Sequence, residues 1–308
     1  MTWFVRVIAV LGVVVVVWCC VTAWPAIVHG HPAYGILLAV TLLLCLVVFA
    51  RSLGPQRARS GGRRVLVVVL ALLAVLWFAL LSWLRPFPAV EPALAALASD
   101  GLVSVAEYPT QIVMSPVAQP RATGVLFQPG ARVDARAYAA VLRPLAEAGY
   151  TVIIPKQPLG IAFLATGAFA SARDAYPWIT EWVAGGHSLG GTVAAMTADE
   201  HDADAVAPVA GLLLYASYPA SDMRSSLTSA VTSISGSEDG LATPADIDAS
   251  RADLPMAATF IVVEGAVHAF FGDYGPQPGD GTPTVTHDQA RAEISQASLD
   301  FVTALASS

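Results

Sequence analysis

Residues 185–191 of this 308-residue chain read Gly-Gly-His-Ser-Leu-Gly-Gly, and Gly186-His187-Ser188-Leu189-Gly190 within them fits G-x-S-x-G. That spacing marks a sharp strand-to-helix turn that holds a serine hydroxyl out at the edge of a sheet. A serine so placed is a candidate nucleophile, but a free hydroxyl is a weak one and needs a base beside it. Two downstream residues could complete the set. Asp239 lies in the turn-forming run Ser235-Gly236-Ser237-Glu238-Asp239-Gly240. His268 follows an apolar β-branched run, Thr259 to Val263, that leads to Gly265. Glu238 and Asp222 are alternative acids. Each chosen residue also has a plainer reading: a helix cap for Ser188, a turn former for Asp239 and a surface-loop histidine for His268. His187 is expected to pack beside the nucleophile.

These residues need elements to position them. Trp182-Val183-Ala184 predicts a buried strand before the serine, and the small residues Thr192–Ala198 predict a helix after it that can pack close to a sheet. Val125–Phe127, Thr151–Ile154, Leu212–Tyr215, Ala230–Ile234 and Thr259–Val263 read as further strands; Ala135–Ala148 and Asp288–Leu305 read as helices. Alternating β and α elements predict an α/β fold, a mostly parallel doubly wound sheet with helices on both faces. Fewer than 20 residues separate Tyr215 from Ala230, too few for a large cap over the site. Lys156-Gln157-Pro158-Leu159-Gly160 follows a strand end and is a candidate for lining the pocket.

The chain is chemically two objects. Its net charge of −7 averages a front part with seven arginines and no acid before Glu91, and a remainder with nine basic and 23 acidic residues, or −14. An acidic domain excludes the basic footprint that nucleic-acid binding requires. Val7–Ile27, Ala33–Ala50 and Val65–Leu84 carry no charge and are each close to the ~20 residues a helix needs to cross a bilayer. Three transmembrane helices (about 7–27, 33–50 and 65–84) are therefore expected, with residues 1–85 as a membrane region and the lipid bilayer as a partner. Arg6 ahead of the first apolar run also fits a cleaved leader, but two spans follow and the run is long for one, so retention is expected.

Five arginines lie between Arg51 and Arg64 and none between Trp24 and Pro32. Basic loops stay on the cytoplasmic side, which predicts a multi-pass protein of the cell membrane with an extracytoplasmic catalytic domain. Residues 86–105 read as a linker with one short alanine-rich helix, and residues 106–308 as one domain by size. All three cysteines (Cys19, Cys20, Cys45) fall in the spans, so the outer domain has no thiol nucleophile and no disulfide. Asp199-Glu200-His201-Asp202-Ala203-Asp204 has a metal-like composition, but one histidine among mobile carboxylates fixes no geometry; a solvated helix end is expected and no metal.

The loop at Gly130, Ala146–Tyr150, Gly186–Gly191, Gly236–Gly240 and the segment His268-Ala269-Phe270-Phe271-Gly272-Asp273-Tyr274 together resemble the α/β-hydrolase superfamily, near its compact dienelactone-hydrolase-like bacterial members. The order Ser188, Asp239, His268 is the one that fold uses. The resemblance implies Ser188 as nucleophile, His268 as general base and Asp239 as the carboxylate orienting it. It implies no cofactor. It places the oxyanion hole at the backbone N–H of Leu189 and one from the loop after Val125–Phe127. Many relatives carry His-Gly there, whereas this chain has Pro129-Gly130-Ala131; Pro129 lacks an N–H, which leaves Ala131 as the expected second donor. The expected function is a membrane-anchored serine hydrolase acting on a small-molecule acyl substrate. An acyltransferase with the same triad and a non-catalytic envelope module on the same fold are the alternatives. Oligomeric state is unassigned.

Overall fold

The computed structural model describes residues 2–54 and 61–306; Arg57 and Arg59 of the arginine-rich loop lie outside the described residues. The chain divides into two compact units, Met1–Pro86 and Phe87–Ser308.

The first unit contains α1 (Thr2–His29), α2 (Pro32–Leu53) and α3 (Gly61–Trp83). All three are long and apolar enough to cross a membrane. A break in α1 at Ala23 (φ −141°, ψ 21°) sits two residues before Pro25, whose ring and missing N–H disrupt the preceding turn. Most of the leucines and valines of these helices point outward, which suits lipid and not water. The few polar groups inside are paired between helices. Arg6 donates to Ser52 O (2.8 Å) and Ser52 Oγ (3.1 Å), Trp77 Nε1 to Thr41 Oγ1 (2.9 Å), and Tyr34 OH to Leu81 O (2.8 Å). Unpaired, each would cost more in hydrocarbon than in water.

The second unit is built on an eight-stranded sheet: β1 (Val103–Glu107), β2 (Gln111–Pro116), β3 (Thr123–Gln128), β4 (Thr151–Pro155), β5 (Glu181–His187), β6 (Val209–Tyr215), β7 (Ala230–Gly236) and β8 (Thr259–Val263). Their order is β1-β2-β4-β3-β5-β6-β7-β8. β2 pairs antiparallel with both β1 and β4, and the remaining neighbours are parallel. The helices are α4 (Ala139–Glu147), α5 (Ala168–Ala175), α6 (Leu189–His201), α7 (Pro244–Ser250) and α8 (His287–Leu305). Side chains alternate across the strands and so feed two cores. Val125, Phe127, Val152, Ile154, Leu213 and Tyr215 face α4 and α8. Leu126, Ile153, Ala184, Leu212 and Leu214 face α5 and α6.

The expected strands and helices are present, with β1, β2, α5 and α7 in addition. Residues 87–105, read from the sequence as a linker, are tied into this unit. Phe87 N donates to Arg132 O (2.7 Å), Val90 N to Asp273 O (2.9 Å), and Val103 opens the edge strand. Residues 216–229 contain no helix, so no cap sits between β6 and β7.

Candidate active site

Parallel strands bring their C-terminal ends to one edge, and the loops leaving β3, β5, β7 and β8 carry Ala131, Ser188, Asp239 and His268 respectively, with Asp222 in the loop after β6. Ser188 stands between β5 and α6 at φ 51°, ψ −125°, a backbone conformation that non-glycine residues rarely adopt. The elbow is tight enough that a Cβ on Gly186 would run into the Gly190 backbone, and one on Gly190 into the carbonyls of Gln128 and Pro129. Ser188 N donates to Tyr215 O (3.0 Å) and Ser188 O accepts from Ser217 Oγ (2.6 Å), which fixes the main chain and leaves the side chain out of it. Ser188 Oγ has no hydrogen bond among the described residues.

Asp239 and His268 are brought together. Asp239 Oδ2 lies 2.8 Å from His268 Nδ1, with both side chains at most 2% exposed. The other carboxylate oxygen accepts from Leu241 N and Ala242 N, each at 2.8 Å, which sets the orientation of the Asp239 side chain. A carboxylate accepts from Nδ1–H, which leaves Nε2 as the basic nitrogen of His268. That Nε2 is buried and has no partner among the described residues. Glu238 and Asp222, the alternative acids, are both exposed; Asp222 caps Arg224 N at 2.9 Å.

The imidazole of His268 is also fixed from its main chain. Asp280 Oδ1 accepts from His268 N (3.1 Å) and Gly240 N (3.2 Å), and its Oδ2 accepts from Ala269 N (2.8 Å). One carboxylate thus ties the loop carrying the base to the loop carrying the acid. Sequence reading missed Asp280; its only signal is an aspartate between two glycines, Gly279-Asp280-Gly281, downstream of the histidine segment.

His187 is buried beside His268, ring centroids 4.5 Å apart. Its Nδ1 is 2.9 Å from Tyr138 OH, which itself accepts from Gly130 N at 2.8 Å. Burial first, and the positive charge that His268 can carry second, hold the His187 imidazole well below the usual histidine range. Burial likewise pushes the Tyr138 phenol up.

In the loop after β3 the amides can be followed one by one. Pro129 has none, Gly130 N goes to Tyr138, Arg132 N to Gly160 O (2.7 Å), Val133 N to Gly130 O (3.1 Å) and Asp134 N to Phe87 O (3.0 Å). Ala131 N is left without a partner among the described residues, as is Leu189 N at the first turn of α6. Gln157 Nε2 donates to Pro129 O (2.9 Å) and Gln128 Oε1 (3.0 Å), so the Lys156–Gly160 segment braces this loop. Lys156 itself is buried and paired with Glu107 at 2.8 Å. In the 199–204 run, Asp204 pairs with Arg173 (2.8 Å) and Asp202 accepts from Thr228 Oγ1 (2.8 Å).

Residues 124–292 match the model of the alpha/beta hydrolase family, more than half of the chain. The chain belongs to that family. Among solved structures it is similar to Est1E from Butyrivibrio proteoclasticus, at 11% identity over 67% of this chain and 100% of that one, TM-score 0.49. It is also similar to an alpha-beta serine hydrolase homologue from Coxiella burnetii (14% identity, 66% and 98% covered, TM-score 0.44). A third is Thermogutta terrifontis esterase 2, solved phosphoramylated by tabun (14% identity, 68% and 96% covered, TM-score 0.47). No curated protein matches the chain.

Proposed function

We propose that this protein is a membrane-anchored serine hydrolase that cleaves an ester, thioester or amide through an acyl-enzyme on Ser188, a carboxylic ester being the leading substrate class. The observation that carries the reading is the buried Asp239–His268 hydrogen bond at 2.8 Å, which leaves Nε2 without a partner among the described residues on a ring 4.5 Å from that of His187, the residue before the strained Ser188. His268 Nε2 takes the Ser188 proton as Oγ attacks the acyl carbon, and the carbonyl electron pair moves onto oxygen. Leu189 N–H and Ala131 N–H, both unpaired, receive that oxyanion. The imidazolium, stabilised by Asp239, gives its proton to the leaving group as the tetrahedral intermediate collapses. Water then repeats the sequence on the acyl-enzyme, with His268 as its base.

The alternatives are an acyltransferase, in which another nucleophile replaces that water, and a non-catalytic module. With no cap between β6 and β7 and Ser188 only half-buried, water can reach the serine, which favours hydrolysis. Labelling by a fluorophosphonate probe, lost in Ser188→Ala, tests the nucleophile; p-nitrophenol release from short-chain esters separates hydrolase from transferase. Absence of labelling in the folded wild-type chain would remove the reading.

In this proposal the catalytic unit lies outside the cell membrane; the three apolar helices and the five arginines at 51–64 support that orientation. Protease added to intact spheroplasts should digest residues beyond the third span and spare the arginine-rich loop. A protected catalytic unit would invert the topology.

A further inference from the structure

We propose that Tyr138 and His187 are positioning residues, a hydrogen-bonded pair that clamps the oxyanion loop to the strand carrying the nucleophile. The inference rests on the hydrolase reading above and concerns two residues outside its triad.

One proton order uses the hydrogens best. Gly130 N–H donates to the Tyr138 oxygen (2.8 Å), whose own hydrogen then has His187 Nδ1 (2.9 Å) as acceptor; the other tautomer, with Nδ1–H donating, would leave that hydroxyl hydrogen with no acceptor among the described residues. A neutral imidazole that accepts at Nδ1 carries its hydrogen on Nε2. The basic nitrogen of His187 is therefore capped. With burial also opposing its protonation, His187 does not compete with His268 for the serine proton, although the rings are only 4.5 Å apart. The clamp survives the moment when His268 becomes cationic, because a neighbouring positive charge keeps His187 neutral.

The clamp also acts on the right atoms. His187 is the last residue of β5 and precedes Ser188; Gly130 precedes Ala131. Consuming Gly130 N–H turns that peptide toward Tyr138 and leaves Ala131 N–H as the loop's free donor. Tyr138 is itself immobilised by the Phe127 ring at 5.2 Å and is fully buried. A donor displaced by a fraction of an ångström loses much of its value to a developing oxyanion, since such stabilisation depends on fixed geometry.

Three variants of the full-length protein in detergent test the pair. Tyr138→Phe keeps the ring and deletes the hydroxyl; His187→Leu deletes the acceptor; His187→Asn restores an acceptor oxygen near the Nδ1 position. The expected result for Tyr138→Phe and His187→Leu is kcat lower by roughly 10- to 100-fold, KM within about threefold, and faster hydrogen exchange at the amides of residues 129–133. His187→Asn should recover kcat to within about fivefold of wild type. Wild-type kcat and exchange in Tyr138→Phe would overturn the proposal, as would His187→Asn behaving like His187→Leu while both melt as wild type does. The two readings fail separately. A wild-type chain without Ser188 labelling removes the hydrolase, and the exchange of the loop amides still decides whether the clamp exists.

Discussion

The two halves of the candidate site are built on opposite terms. In the half built on Asp239 and His268 the side chains are engaged except at His268 Nε2 among the described residues: Asp239 serves His268 and two amides, and Asp280 anchors the histidine loop. In the nucleophile half the hydroxyl of Ser188 and the amides of Leu189 and Ala131 have no partner among the described residues, and the serine backbone is strained. Buried polar groups are normally satisfied. Ser188, Leu189 and Ala131 are only half-buried, so solvent can meet their polar groups, whereas the buried acid–base residues must find protein partners. One half is closed on itself; the other keeps its polar groups within reach of solvent.

The largest break in that contrast is Ser188→Ala, which should lower kcat by about 10^4-fold or more while leaving the fold intact, measured by ester hydrolysis and thermal melting. His268→Ala should fall within about tenfold of it, because the serine and its base act as a unit; a loss below tenfold would contradict the base assignment. Next comes Asp239→Asn, expected to cost about 10^2- to 10^4-fold through the wrong imidazole tautomer. Glu238→Gln and Asp222→Asn should stay near wild type, and either one proving worse than Asp239→Asn would move the acid. Asp280→Ala should be milder, about 10-fold in kcat with roughly 1–3 kcal/mol of stability lost from amides left without an acceptor. Equal activity with and without Asp280 would show that the histidine loop needs no anchor.

The smallest effect is a pH dependence of stability. His187 is pushed below its unfolded value of about 6.5, by burial first and then by the charge of His268. The unfolded chain therefore binds a proton that the folded chain refuses. The contribution is fully present above about pH 6.5 and is lost as pH falls below it, at up to ~1.4 kcal/mol per unit. Tyr138, His268 and Tyr274 are the titratable groups facing this ring. His287, depressed chiefly by its own burial, adds a slope of the same sign. His187→Asn should flatten the fall in melting temperature between pH 7 and 5 without abolishing it.

The same contrast explains what could be read before the structure. The nucleophile half is local: a glycine-flanked serine, a strand before it and a helix after it all lie within 181–201, so the sequence pattern carries them. The membrane helices are equally legible, because charge-free stretches of that length have few other uses. The bracing residues were not legible. Asp280 acts on amides 11 and 12 positions away, and Tyr138 reaches His187 across 49 residues, distances at which spacing carries no signal. β1 and β2 were missed for a related reason. They are short, and residues 111–116 alternate poorly because the strand is covered on both sides at its centre.

The positive φ of Ser188 has a consequence for how this protein changes over generations. A non-glycine residue in that conformation costs on the order of 1–3 kcal/mol, a sizeable part of a domain's whole margin of stability. Glycine at 188 would relieve the cost and make the fold sturdier while removing the hydroxyl on which the proposed chemistry rests. Purifying selection for activity and selection for robustness therefore pull this single codon in opposite directions. A lineage that stopped needing the reaction would be expected to drift away from serine here before it lost anything else in the domain.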